Sequence, residues 1–205
     1  MPIDLNDPSK SKWSEDEIAA THEHIRNNMR ATHDFMSYLQ TLCPRACVVT
    51  GLARIDFELE KTLRRIIDGD TEVSDDRLFA PDRPLGTYSS RCEMCYRLGL
   101  IDSNFLRALR LYGKMRNLYA HEFEHVDMMA SPIRDWMQEI ENIVSVNDES
   151  TPEGLAFKKQ REHPFYRFAI PLGLVLTMLM RLHFETPRFK PVFVASLHID
   201  RSNKT

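Results

Sequence analysis

Arg116, Asn117 and His121 are the residues of this chain whose types and spacing most readily suggest chemistry. An imidazole titrates near neutral pH, so His121 is suited to take or give a proton. A guanidinium offers a planar fork to a phosphate whose charge builds up during transfer, and Arg116 would play that part. Together they pair a proton-transfer group with an anion-binding one. Asn117 and His121 stand four residues apart and share a helix face. Arg116 lies about 140° from His121 in helical phase. The two therefore converge only if the helix ends between them or if a second copy supplies one of them. His121-Glu122-Phe123-Glu124-His125 also spells H-E-x-x-H. On a helix that spacing sets two imidazoles side by side for zinc, with the glutamate as base. Asp135, Glu139 and Glu141 are candidate third ligands, but none stands in a recognisable motif, and the charged Glu124 sits where such helices usually pack an uncharged residue. The inert reading of the same string makes Arg116 a buried ion-pair partner and lets Asn117 and His121 tie helix ends.

The element that must position these residues is Asp102 to His125, which the pattern predicts as one amphipathic helix. Phe105, Leu109, Tyr112, Tyr119 and Phe123 fall on one face, and Leu111, Met115 and Leu118 broaden it. Arg107, Arg110, Lys114, Asn117 and His121 recur on the opposite face at spacings of three and four. Arg116 intrudes on the apolar side. Asp56 intrudes in the same way on a second apolar stripe, Val48, Leu52, Ile55, Leu59, Leu63 and Ile66. An unpaired buried charge is strongly unfavourable. Two opposite intruders therefore predict one buried pair, Asp56 with Arg116, and a strongly destabilising Arg116→Ala; the alternative is that backbone or water satisfies each separately.

Composition narrows the field. The chain has 205 residues, 42% hydrophobic and 28% charged, which suits a single globular domain. A net charge of −3 argues against a protein coated in positive charge for indiscriminate DNA binding. It leaves room for a local patch, because Arg91 to Leu118 holds six Lys or Arg against two acids. Arg91, Arg107, Arg110 and Lys114 are the candidate binding cations, with RNA or another nucleic acid as the conceivable ligand, and a solvated helix face as the plain alternative. Cys43, Cys47, Cys92 and Cys95 form two near-pairs, but both lie in helical-looking sequence without zinc knuckles, so buried reduced thiols are expected and no metal or cofactor is assigned. The N-terminus is polar and acidic, unlike a secretory signal, and the apolar run Phe168 to Met180 is short for a membrane span and holds Pro171 and Gly173. A cytoplasmic protein with no membrane contact is expected.

In chain order, residues 1–13 read as a flexible arm, with Trp13 a candidate anchor. Ser14-Glu-Asp-Glu17 fits a capping box that opens a polar helix to about Leu42, with His22, His24 and His33 exposed. Pro44 restarts the chain into a helix ending near Gly69. A Pro- and Asp-rich loop with one helical turn at Asp75 to Phe79 follows. Thr87 caps a helix through about Leu98, Gly99 stops it, and Asp102 caps the central helix. Ser131-Pro132 reads as cap and first-turn residue of a helix to Val146. A polar linker and a helix from Pro152 to Glu162 precede the apolar segment Pro164 to Phe184, which is expected to kink or break at Pro171 and to serve as core helix or dimer face. Residues 187–205 read as a tail. The fold class is all-α: a single-domain bundle of roughly six to eight helices over residues 14–186.

Three blocks carry a resemblance: Asp82 to Arg91 (DRPLGTYSSR), Tyr96 to Ile101 (YRLGLI) and Met115 to His121 (MRNLYAH), with the Ile55-Asp56 step before them. Residues 45–145 resemble the mannitol operon repressor (MltR) family. The resemblance implies an all-α fold and a repressor-type role in regulating sugar-alcohol uptake. It implies no DNA-reading helix, and no helix-turn-helix with a basic second helix is evident. Such a regulator would work through a protein partner, as a homodimer, and would more naturally not be an enzyme. Arg116-x4-His121 also resembles the motif of the HEPN ribonucleases, which implies a metal-independent site formed across a dimer, with Arg107, Arg110 and Lys114 on RNA phosphate. A zincin-like hydrolase through His121 and His125 is the distant third reading.

Overall fold

The computed structural model describes residues 15–67, 77–122, 126–144, 150, 155, 158–160 and 162–185. It is an all-α bundle, with no strand among the described residues. Its helices are α1 (Glu15–Gln40), α2 (Pro44–Ile67), α3 (Tyr88–Arg97), α4 (Ser103–His121), α5 (Ile133–Ile143) and α6 (Pro164–Glu185). The N-terminal arm with Trp13 and Ser14, the loop at 68–76, most of the linker and helix at 145–161, and the tail after 185 lie outside the described residues.

Helix α2 is the axis of the bundle and touches α1, α3, α4 and α6. The apolar stripe explains why. Val48, Leu52, Ile55, Leu59 and Leu63 are all fully buried, and being three and four apart they face one core. Gly51 lets α6 come close: a Cβ there would stand 2.8 Å from a Leu172 methyl and 3.3 Å from the Phe168 ring. From α4 come Leu109, Tyr112, Met115 and Tyr119, from α5 Ile133, Met137 and Ile140, and from α6 Leu172, Val175, Leu176 and Leu179.

Local chemistry sets the helix ends near the centre. The Thr87 hydroxyl accepts from the Ser90 amide, and the Ser90 hydroxyl accepts from the Thr87 amide, a reciprocal cap on α3. Gly99 stops α3 with φ +70°, a left-handed turn that glycine adopts without a Cβ clash. The Asp102 carboxylate accepts the Phe105 amide at 2.8 Å and starts α4.

Four helix expectations need correction. Helix α4 stops at His121, four residues short of His125, because Glu122 turns to an extended ψ of 122°. The Arg45 guanidinium at the start of α2 donates to the Glu122 carbonyl and holds that exit. Pro132, not Ser131, stands at the N-cap of α5; the Ser131 hydroxyl donates to the Asp135 carboxylate instead of capping. Helix α6 runs through Pro171 without a break, and Pro171 is buried. His24, expected on the surface, is half-buried and stacks on Phe184 with ring centres 4.0 Å apart.

Candidate functional site

Arg91 engages four acceptors at once. It comes from the second turn of α3 and is 7% exposed. Its Nη1 donates to the Asp56 carboxylate at 2.7 Å, and its Nη2 reaches Glu60 at 2.7 Å, both on α2. Its Nε donates to the Leu85 carbonyl at 2.8 Å, and Nη2 also reaches the Phe79 carbonyl at 3.4 Å. One guanidinium thus ties α2, α3 and the turn between them. A rigid fork of five donors suits four acceptors at fixed directions.

The turn itself is built to meet that fork. The Leu85 amide donates to the Leu78 carbonyl, and the Gly86 amide donates to the Arg83 carbonyl. Gly86 is pressed against backbone: a Cβ there would lie 2.1 Å from the Ala80 carbonyl oxygen. Tyr88 packs its ring over Gly113 of α4 and donates its hydroxyl to the Leu109 carbonyl at 2.8 Å. Leu85, Gly86, Thr87, Tyr88 and Arg91 are therefore one knot joining α2, α3 and α4.

This geometry overturns two expectations. Asp56 does meet an arginine, but its partner is Arg91, not Arg116. The phase of α4 explains it: Met115 is fully buried, whereas Arg116 sits half-buried at the edge of the apolar face. Arg91, expected to bind a ligand, is committed to protein acceptors. Sequence reasoning also missed a second buried pair, Arg167 of α6 with Glu141 of α5 at 2.7 Å, with Gln138 accepting from the same guanidinium at 3.1 Å.

The predicted cationic face of α4 is real. Arg107, Arg110, Lys114, Asn117 and His121 are all exposed. It is flanked by carboxylates that sequence spacing could not reveal. Arg107 pairs with Glu139 of α5. Arg110 pairs with Glu93 of α3 at 3.0 Å, and Glu93 also accepts from Arg97 at 2.8 Å. Those contacts, Arg97 first, hold the Glu93 carboxyl below its usual range. Lys114 stands over the Trp136 ring, 5.9 Å from its centre.

Asn117 and His121 share the exposed face, but Arg116 does not join them on one chain, since α4 stays helical between 116 and 121. A phosphate held by both would need a second copy. The helical spacing that would set His121 and His125 side by side ends early, since α4 stops at His121 and Glu122 is extended. His125 lies outside the described residues. Among the described residues no cluster of three or more His, Cys, Asp or Glu is placed to hold a metal ion.

Three of the four cysteines are packing groups, and Cys43 departs from the expected burial. Cys47, Cys92 and Cys95 are buried, and Cys43 is exposed. Burial pushes the thiols up, Cys47 to about 11 and both Cys92 and Cys95 to about 12, which disfavours the thiolate needed for nucleophilic or metal chemistry. An open groove of about 550 Å³ lies between α1 and α6, lined by Met29, Met36, Phe165, Ile170 and Leu174, with Gly173 on its floor.

No family model matches the chain, and no curated protein matches it. Among solved structures it is similar to MtlR in the X-ray structure of the MtlR–HPr complex from Escherichia coli. The TM-score is 0.51 at 17% identity, over 74% of this chain and 97% of that one. At that identity the likeness is one of fold.

Proposed function

We propose that this chain is a repressor-type transcription regulator of the mannitol-repressor kind, acting through a protein partner and not by reading DNA itself. The observation that carries the reading is the shared fold with the E. coli MtlR chain, nearly all of whose length is matched. A fold alone does not assign a role. Support comes from where the family-like residues stand: Asp56, Leu85, Gly86, Tyr88 and Arg91 make one interhelical knot, so the resemblance falls on residues that build this particular bundle. The most basic helix, α4, lies between α3 and α5 with two of its arginines on carboxylates, a poor arrangement for entering a major groove. The E. coli protein was solved with HPr, and we extend that partnership to this chain. The remaining features of the reading are a single all-α domain over residues 14–186, a cytoplasmic location, a homodimer, and sugar-alcohol uptake genes as the target.

The test is a calorimetric titration of HPr into the purified chain, beside a gel-shift series with duplex promoter DNA. A saturable protein complex with no specific DNA shift supports the reading. A specific DNA shift in the absence of a protein complex overturns it.

A second reading, a HEPN-type ribonuclease, is favoured by one observation: Asn117 and His121 stand exposed together beyond a run of cations. It requires Arg116 or its equivalent from a second copy.

A further inference from the structure

We infer that the groove between α1 and α6 is the seat of this chain's own C-terminal segment, residues 193–199, which closes that face to other partners. The two helices are antiparallel. His24 near the start of α1 stacks on Phe184 near the end of α6, and Gln40 at the end of α1 donates to the Tyr166 hydroxyl near the start of α6 at 3.3 Å. Met29 and Met36 of α1 and Phe165 of α6 wall the groove, and Ala169, Gly173 and Thr177, four apart, line its α6 side. Met29 stands 60% exposed. A Cβ on Gly173 would lie 3.9 Å from Met36 and Thr32, an ordinary contact, whereas one on Gly51 would strike Leu172 at 2.8 Å. The approach of α1 to α6 therefore does not require a glycine at 173. Its effect is to keep the groove deep, against the poor helix propensity of glycine.

The occupant's chemistry is in the sequence. Pro187 and Pro191 disfavour helix at the residues before them, and Val192, Val194 and Ile199 favour extended chain. In an extended chain Phe193, Ala195, Leu197 and Ile199 fall on one face, an apolar edge for an apolar groove. The reach fits. Helix α6 ends at Glu185, and the groove begins eight residues back, at Thr177, about 12 Å away at the helical rise. The eight residues from Glu185 to Phe193 span up to about 26 Å, enough to reverse and enter. Phe193 to Ile199 then covers about 20 Å, and Thr177 to Phe165 about 18 Å. So short a tether gives the segment a high effective concentration at its own groove, which favours it over the same segment of a second copy. The N-terminal arm is a poorer fit, since its Ile3, Leu5 and Trp13 are set apart by Asp, Asn and Lys.

The test uses the whole chain with Phe193→p-benzoylphenylalanine, irradiated as a mixture of isotopically light and heavy copies, with the crosslinked peptides read by mass spectrometry. The expected result is crosslinking within one chain, to residues 29–40 or 165–177. Gly173→Leu fills the groove from a Cβ that meets only ordinary contacts, so its melting temperature should not fall. It should cut the crosslink yield at least about 10-fold, since burying one Phe or Leu side chain carries that much affinity or more. Phe193→Asp/Leu197→Asp lies wholly outside the bundle and should raise binding of an apolar fluorescent dye several-fold by uncovering the groove. Crosslinks elsewhere on the bundle, an unchanged yield in Gly173→Leu, or dye binding equal to the parent's in the double variant overturns the proposal. Crosslinks only between light and heavy copies overturn it in favour of exchange between two chains.

Discussion

Replacing Arg91 by alanine should destabilise the chain more than any other single arginine change in the α2–α4 region. Arg91 is 7% exposed, and its two carboxylate partners, Asp56 and Glu60, are 23% and 29% exposed. Stranding the partners of a buried pair costs about 3–5 kcal/mol. Partial water access to both carboxylates moves the figure toward the lower end. The lost bonds to the Leu85 and Phe79 carbonyls add about 1 kcal/mol between them, since one is long. The expected loss is about 4 kcal/mol. For a domain of this size each kcal/mol lowers Tm by roughly 2–4 °C, so a fall of roughly 8–16 °C is expected. Urea and thermal melts followed by circular dichroism measure it. Arg91→Lys should recover little, because an ammonium cannot reproduce the fork. A cycle with Asp56→Asn should return a coupling of about 1–3 kcal/mol. A Tm within about 3 °C of the parent in Arg91→Ala would refute the claim that this guanidinium holds α2, α3 and the turn together.

Arg116→Ala, by contrast, should cost under about 1 kcal/mol, because its half-buried side chain has no part in the Asp56 pair; a loss as large as that of Arg91→Ala would sink the reassigned pairing. Gly86→Ala drives a Cβ into the Ala80 carbonyl and should cost about 3 kcal/mol or more, read as a lowered urea midpoint; an unchanged midpoint would mean the turn is not so tightly packed. His183 is pushed from 6.5 to about 4, first by burial and then by Lys61, Arg65 and His24. Between those values the unfolded chain binds a proton that the folded chain refuses, so stability is lost as pH falls from 6.5 toward 4. The loss is on the order of 1–2 kcal/mol after allowing for the ring's partial exposure, and His183→Asn should flatten it in melts across that window. His121→Ala should keep the parent's fold and, under the regulator reading, the two should leave RNA equally intact with or without chelator; cutting by the parent alone, insensitive to chelator, would establish the ribonuclease instead.

Most helices and their inner faces are legible along the chain. The stripe Val48 to Leu63 and the faces of α4 follow from a period of 3.6, and the caps at Thr87 and Asp102 and the stop at Gly99 follow from side-chain and backbone chemistry a few residues apart. These are local properties, and the local sequence contains their causes. The stripe also marked Asp56 as a charge to be satisfied, by a cation or by backbone and water. That the partner is Arg91 follows from how the helices pack. Arg91 sits on a short helix whose sequence does not announce a buried face, and its placement depends on the Leu78–Gly86 turn swinging α3 across α2. The same holds for Glu93 and Glu139 beside the α4 arginines, and for Arg167 with Glu141: each pair joins different helices, and the phase of one helix against another is set by packing, not by spacing along either. The end of α4 at His121 is the sharpest case. Nothing in the run from Ala120 to His125 breaks a helix, yet Arg45, distant in sequence, takes the Glu122 carbonyl where the backbone turns extended.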